Sequence, residues 1–211
     1  MPHDTSTNYG VTTGGATVTL EETKTILLVG VGGQGTILAG QLLAMVAADA
    51  GLDVKVSEIH GMSQRGGSVS TIVRVGPQVQ SMIADPGCAD IVVAFESIEA
   101  LRAQQFLREG GSLFVNDEQI TPVPVNIGAF QMPADVDGRL EAIGATIIDA
   151  GGIARAVGSP RSTNVVLVGA LSTALPFSRE EWEDAIRRRV PPKTVDANLK
   201  AFALGREAAL A

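Results

Sequence analysis

A strand-like apolar run that passes directly into a glycine-rich loop constrains the fold of this chain more than any other feature. Lys24–Val29 is apolar and rich in β-branched residues, which is typical of a buried parallel strand. The loop Gly30-Val31-Gly32-Gly33-Gln34-Gly35 follows, and then Leu38, Leu42 and Val46 recur at the spacing of one helix face. This order of strand, loop and helix predicts a protein that mixes helices with a parallel sheet.

The next part of the chain departs from the usual alternation of strands and crossover helices. Asp53–Glu58 alternates as a second strand and Ser68–Val75 as a third, and only the nine residues 59–67 separate them. Nine residues are too few for the crossover helix that joins two parallel strands. We therefore expect the third strand to run antiparallel or to join another edge of the sheet.

The rest of the chain predicts further α/β structure and then helices. Ala89–Phe95 has the composition of a buried strand, after which we expect Ser97 to cap a helix that Gly110-Gly111 ends. Asn164–Leu175 is apolar and helical, and a capping box at Ser178 starts another helix. Together these elements predict an α/β fold, Rossmann-like and three-layered, with a mostly parallel sheet and a helical C-terminal third.

Domain organisation follows from length and local composition. A chain of 211 residues is the size of one domain or of one domain with an appendage. Residues 1–22 contain no lysine or arginine and are rich in threonine, glycine and serine, unlike a targeting peptide. We expect 1–22 to be a flexible tail and 23–211 to be a single α/β domain.

Composition excludes several classes of partner and site. A net charge of −7 and only 4% aromatic residues leave neither a basic nor a stacking surface for nucleic acid. One cysteine, Cys88, cannot form an internal disulfide or hold an iron–sulfur cluster, and with two histidines we predict no metal site. No apolar run approaches the roughly 18 residues of a membrane span. A lone thiol favours the reducing cytoplasm.

The glycine loop has two competing interpretations. Gly30-x-Gly32-x-x-Gly35 matches the dinucleotide-binding fingerprint, whose glycines let backbone amides approach an anion at a helix N-terminus. Glu58 ends the second strand, near the expected position of a ribose-binding carboxylate. The short connection into the third strand argues against a nicotinamide or flavin cofactor. The competing interpretation is a tight turn that packs a strand onto a helix and binds nothing.

A polar segment after the second strand contains the other candidate site residues. Between glycines it concentrates side chains suited to recognising an anion or a carbonyl group, and an arginine there can fork onto a carboxylate or a phosphate. The competing interpretation is that this arginine pins the loop through Glu58. We find no complete nucleophile, base and acid set, so we predict no catalytic residue on this chain. The candidate residues are His60, Ser63, Gln64, Arg65, Gly66, Gly67 and Ser68.

The two motifs together resemble a known enzyme family. The glycine loop and its helix are similar to the opening of the gamma domain of 2-oxoacid:ferredoxin oxidoreductases, and Arg65-Gly66-Gly67 is similar to the second hallmark of that domain. The longer string 60–69 is most similar to the beta subunits of the indolepyruvate members. Weaker similarity extends through Asn164–Leu175 and Pro192–Gly205, so the resemblance spans roughly residues 24–205.

The resemblance implies a reaction shared with other chains. A 2-oxoacid, here an aryl pyruvate such as indolepyruvate, is decarboxylated on thiamine diphosphate; electrons pass through iron–sulfur clusters to ferredoxin, and the acyl group passes to coenzyme A. It implies that this chain binds no cofactor alone and that a large alpha subunit holds the thiamine diphosphate and the clusters. The alternative is a stand-alone Rossmann-like nucleotide-binding or regulatory protein. Within the oxidoreductase complex, we expect the segment 60–68 to face the active site together with Gly30, Gly32, Gly33, Gln34 and Gly35.

Overall fold

The computed structural model describes residues 20–60 and 67–211 and contains a six-stranded sheet between layers of helices. The strands are β1 (Lys24–Val31), β2 (Asp53–His60), β3 (Ser68–Gly76), β4 (Ala89–Ala94), β5 (Leu107–Asn116) and β6 (Thr146–Ile148). The helices are α1 (Thr36–Asp49), α2 (Ser97–Ala103), α3 (Val123–Asn126), α4 (Val136–Ala142), α5 (Ala150–Ala156), α6 (Thr163–Ser172), α7 (Arg179–Arg189) and α8 (Val195–Leu210).

The sheet is mostly parallel, with one strand reversed. The strand order is β2-β3-β1-β4-β5-β6, and β1, β4, β5 and β6 are parallel to one another. β3 runs antiparallel to both of its neighbours, β1 and β2. The prediction that the third strand runs antiparallel is therefore confirmed. Its physical reason also holds, because a short connection can only return the chain beside the strand that it has just left.

Two apolar cores, one on each face of the sheet, make the fold three-layered. Ile26 and Leu28 of β1 face the larger core, which α1, α5, α6, α7 and α8 cover. Leu27 and Val29, the alternate residues, face the smaller core under α2 and α4. The predicted three-layer α/β fold with a helical C-terminal third is confirmed.

Helix α6 lies in the middle of the larger core, which explains its uniform apolar character. Its residues from Asn164 to Ser172 are all buried. Glycines let α6 approach α8 closely: an added Cβ at Gly169 would overlap the carbonyl oxygen of Phe202, and one at Gly205 would overlap that of Val166. The two helices therefore meet backbone to backbone.

Two local predictions around α2 are wrong. The N-cap is Glu96 rather than Ser97, because the Glu96 carboxylate accepts hydrogen bonds from the backbone N–H groups of Ile98 and Glu99. The helix also ends at Ala103, and Gly110-Gly111 lie inside β5. Gly111 has a reason to be there, since a Cβ would come 3.0 Å from the carbonyl oxygen of Asp90 in the neighbouring strand. The predicted capping box at Ser178 is confirmed.

A helix that crosses a membrane is long and predominantly apolar. In the part of the chain that the structure describes, each helix is too short or too polar to cross a bilayer.

Candidate functional site

The glycine loop, residues 30–35, turns the chain from β1 into α1 through a backbone that suits glycine alone. Gly33 and Gly35 have φ angles of 106° and 93°, in the left-handed region. A Cβ at Gly35 would also lie 2.5 Å from Nδ2 of Asn164 in α6. Gly35 is the N-cap of α1 and has no side chain to cap the helix. The N-terminus of α1 thus suits an anion.

The side chain of Gln34 turns inwards and holds the loop in place. Its Oε1 accepts a hydrogen bond from the Val31 N–H at 2.7 Å, and its Nε2 donates to the Phe95 carbonyl at 3.1 Å. Nε2 also donates to Oε2 of Glu118 at 3.3 Å. Gly30 leaves the necessary room, since a Cβ there would lie 2.8 Å from Oε1 of Gln34. Gln34 therefore fixes the loop through its hydrogen bonds, and Gly30 leaves the space that the Gln34 side chain occupies.

The start of β3 is tied to the glycine loop and to α2. The Gly32 N–H donates to the Gly67 carbonyl at 2.9 Å. The Ser68 hydroxyl donates to Oε2 of Glu99 at 2.5 Å, and Oε1 of Glu99 accepts from Arg102 at 2.6 Å. The structure thus brings two of the predicted site residues, Gly67 and Ser68, to the glycine loop. The Ser68 side chain connects the start of β3 to α2 through Glu99.

A cleft of about 380 Å³ opens between the glycine loop, the start of α1, the end of β2 and the start of β3. Thr36 and Thr71 line it, are 4% and 2% exposed, and have no side-chain hydrogen bond to any described residue. Ile37 and Ile59 add apolar walls, and Glu58 adds a carboxylate. The cleft can receive an anionic group at the α1 N-terminus, a polar group at the threonines and an apolar chain along the isoleucines.

The other predicted site residues fall at or beyond the boundary of the described chain. His60 is the last residue of β2, and its backbone pairs with Val69 of β3. Ser63, Gln64, Arg65 and Gly66 lie outside the described residues. Their places in the site stay predictions.

The position of β3 changes the geometry that a dinucleotide site requires. β3 lies between β1 and β2, so Glu58 at the end of β2 is two strand spacings, about 10 Å, from β1. In the dinucleotide-binding fold the acidic residue ends the strand beside the glycine-rich one. The glycines of the fingerprint are present here, but the carboxylate is displaced from its usual position.

Sequence reasoning favours a turn role for Asn116, after its strand, and misses the carboxylates behind the loop. Asn116 is 1% exposed, and the same Phe95 carbonyl that binds Gln34 accepts a hydrogen bond from its Nδ2 at 3.1 Å. Glu96 is also 1% exposed, and burial raises its pKa, although the backbone N–H groups of Ile98, Glu99 and Ile120 donate to its carboxylate. Asn116 is the last residue of β5, and Glu96 lies two residues beyond β4. Polar residues at the ends of two neighbouring strands are the signal that could have found both.

Metal-ligating side chains are sparse. Among residues 20–60 and 67–211, no three histidine, cysteine, aspartate or glutamate side chains are grouped so that they could hold a metal ion. Cys88 is half-buried, and burial raises the pKa of its thiol, which keeps it protonated and weakly nucleophilic.

Comparison of the sequence with known proteins relates this chain to one family of enzymes. The family model of pyruvate ferredoxin/flavodoxin oxidoreductases matches residues 25–208. The indolepyruvate oxidoreductase subunit IorB of Thermococcus kodakarensis is 42% identical over 196 residues, covering 87% of this chain and 95% of the relative. The 2-oxoglutarate synthase subunit KorC of Methanothermobacter marburgensis is 32% identical over 199 residues, with coverage of 87% and 95%.

A solved structure agrees with the fold. The keto/oxoacid ferredoxin oxidoreductase gamma subunit from Geobacter sulfurreducens superposes with a TM-score of 0.65 at 27% identity. The match covers 89% of this chain and 98% of that subunit. The overall fold is therefore shared with a protein of similar length.

Proposed function

The chain belongs to the pyruvate ferredoxin/flavodoxin oxidoreductase family, and on that premise we propose that it is the small subunit of an indolepyruvate:ferredoxin oxidoreductase. The relatives that it matches along nearly their whole length are, by name, subunits of 2-oxoacid oxidoreductases. One observation carries the choice of substrate: identity is 42% to the indolepyruvate subunit and 32% to the 2-oxoglutarate subunit. The substrate is accordingly an aryl pyruvate, which is converted to an acyl-coenzyme A.

The donor atoms of the chain support the proposal that a partner holds the redox groups. An iron–sulfur cluster normally takes four cysteine ligands, and this sequence has one, so the chain does not fit a cluster of its own. We assign the clusters and thiamine diphosphate, which stabilises the carbanion formed on decarboxylation, to a large alpha subunit that passes electrons to ferredoxin. We place the complex in the cytoplasm, where a lone thiol stays reduced.

The cleft beside the glycine loop is the part of this chain that we assign to a reactant. The α1 N-terminus and the arginine at position 65 favour an anion, and Gly66 and Gly67 allow the backbone to approach it. That anion is the carboxylate of the 2-oxoacid or a phosphate of coenzyme A. Glu58 also lines the cleft, and its negative charge disfavours an anion there. In this proposal, binding of the anion therefore depends on the positive charge of Arg65.

A substrate panel tests the proposed function. The complex of this chain with its large subunit should reduce ferredoxin with indolepyruvate at a kcat/KM at least about tenfold above that with 2-oxoglutarate or pyruvate, a difference of about 1.4 kcal/mol in transition-state binding. Comparable or higher values with 2-oxoglutarate would assign the chain to the other branch of the family.

The variant Arg65→Lys tests the site, because it keeps the charge and loses the two-pronged hydrogen bond. In the complex, kcat/KM should fall by about tenfold or more, and the reactant whose KM rises identifies the anion. Arg139→Lys, on the exposed face of α4, is the matched control and should behave as the wild type. If Arg65→Lys lowers stability or assembly and leaves the kinetics of the assembled complex unchanged, Arg65 is structural.

The alternative function is a stand-alone nucleotide-binding protein, which the glycine fingerprint favours. The displaced Glu58 argues against it. Calorimetry of the isolated chain with NAD, NADP and FAD decides: a micromolar dissociation constant, about −8 kcal/mol, would revive this alternative.

A further inference from the structure

The strands β1 and β4 form the point of the sheet where ligands usually bind. They are adjacent and parallel, and the helices that follow them cover opposite faces, α1 on one and α2 on the other. In open α/β sheets the crevice outside the carboxyl ends of such a pair receives the ligand. Here the Gln34 amide fills that crevice, bonded to Val31 at the end of β1 and to Phe95 directly after β4.

A second amide lies beside Gln34 and shares both of its acceptors. Nδ2 of Asn116, at the end of β5, donates to the Phe95 carbonyl at 3.1 Å and to Oε2 of Glu118 at 3.0 Å. Oδ1 of Asn116 accepts from the Ala150 N–H at the start of α5, at 3.1 Å. Glu118 is therefore the carboxylate that connects the glycine loop to the ends of β4 and β5.

Two backbone hydrogen bonds also fix the main chain of Glu118, and with it the position from which the Glu118 side chain extends. Its N–H donates to the Asn116 carbonyl at 2.8 Å, and its carbonyl accepts from the Ser97 N–H at 2.8 Å. The Glu118 side chain is exposed, and its carboxylate accepts charge-assisted hydrogen bonds from two amide groups, at 3.3 Å from Gln34 and 3.0 Å from Asn116.

We propose that Glu118 is a positioning residue: with Asn116 it holds Gln34 in the crevice between β1 and β4, and so fixes the glycine loop. The loop then presents the N-terminus of α1 to the cleft that Thr36 and Thr71 line, and a reactant enters there instead of the crevice. The catalytic consequence rests on the proposed function, whereas the ordering of the loop does not.

Hydrogen–deuterium exchange of the full chain tests the ordering of the loop. Glu118→Ala and Gln34→Ala should each speed amide exchange in residues 31–36 by about tenfold, which corresponds to about 1.4 kcal/mol of lost protection. Glu118→Gln keeps a carbonyl acceptor and should stay within about threefold of the wild type. Asp117→Ala removes an exposed neighbouring carboxylate and should change nothing. Unchanged exchange in Glu118→Ala, or an equal effect of Asp117→Ala, overturns the proposal.

Steady-state kinetics of the complex test the consequence for catalysis. Glu118→Ala should raise the KM of the anionic reactant by about tenfold and leave kcat within about twofold, and Glu118→Gln should restore KM. A purely structural role would lower the melting temperature or the yield of complex without moving KM, and that result overturns the positioning role. A wild-type complex that is inactive with indolepyruvate refutes the proposed function instead, and the exchange experiment still decides the role of Glu118.

Discussion

Replacing Gly35 by alanine should cost the chain far more stability than replacing Gly33, although both residues have positive φ. Backbone strain of about 1–3 kcal/mol applies to each. An added Cβ at Gly33 meets nothing within 4 Å, whereas at Gly35 it would lie 2.5 Å from Nδ2 of Asn164. Asn164 is 7% exposed and cannot swing away, so overpacking adds about 1–3 kcal/mol. We expect losses of about 2–6 kcal/mol for Gly35→Ala and about 1–3 kcal/mol for Gly33→Ala.

Urea unfolding followed by the fluorescence of Trp182, the single tryptophan, measures both losses. Trp182 is fully buried against Phe202 of α8, so its emission reports the larger core. The double variant Gly35→Ala, Asn164→Ala tests the contact directly: it should lose about 1–3 kcal/mol less than the sum of the single variants, because truncating Asn164 makes room for the new Cβ. Equal losses from the two glycine variants, or additive losses in the double variant, would refute this reasoning.

Three further predictions follow from packing and burial. Gly205→Ala would overlap the Val166 carbonyl and push α8 from α6, so the free energy of unfolding should fall by about 3 kcal/mol; a loss under about 1 kcal/mol contradicts the close approach. Burial raises the pKa of Glu96, so the folded chain binds that proton more tightly than the unfolded chain. Relative to Glu96→Gln, the wild type should therefore gain stability as pH falls from neutral towards 4.5, and the opposite slope in pH-dependent unfolding would be contrary evidence. Burial also raises the pKa of the Cys88 thiol, so iodoacetamide should alkylate it more slowly at neutral pH than free cysteine, and an equal rate would exclude this assignment.

Local signals explain the parts of the fold that the sequence predicts correctly. The glycine spacing places the turn between β1 and α1. The nine residues 59–67 are too few for a crossover helix, which predicts that β3 runs antiparallel or joins another edge, and the first of these is observed. The capping box at Ser178 needs only residues within one turn of helix. In each case the deciding contacts lie close together in sequence.

Contacts between distant residues decide the features that the sequence could not predict. Gln34 meets Glu118 across 84 positions of the chain, and no local pattern marks that pair. The N-cap of α2 is Glu96, whose carboxylate accepts hydrogen bonds from the first turn of the helix. The sequence favoured Ser97, one residue later, because serine is a common N-cap residue. Gly110-Gly111 resemble a helix stop but lie in β5, at the irregularity between Leu107 and Ser112, the residues that pair with β4, and Gly110 has a φ angle of 71° there.

We propose that this chain acts only as the small subunit of an aryl-pyruvate oxidoreductase. The most direct test measures ferredoxin reduction with indolepyruvate and coenzyme A by three samples: this chain alone, its large subunit alone, and the two co-purified. We predict reduction by the co-purified pair, none by this chain alone, and at most a small fraction of the paired rate by the large subunit alone. Full activity of the large subunit without this chain, or failure of the two chains to co-purify, would contradict this role of the chain.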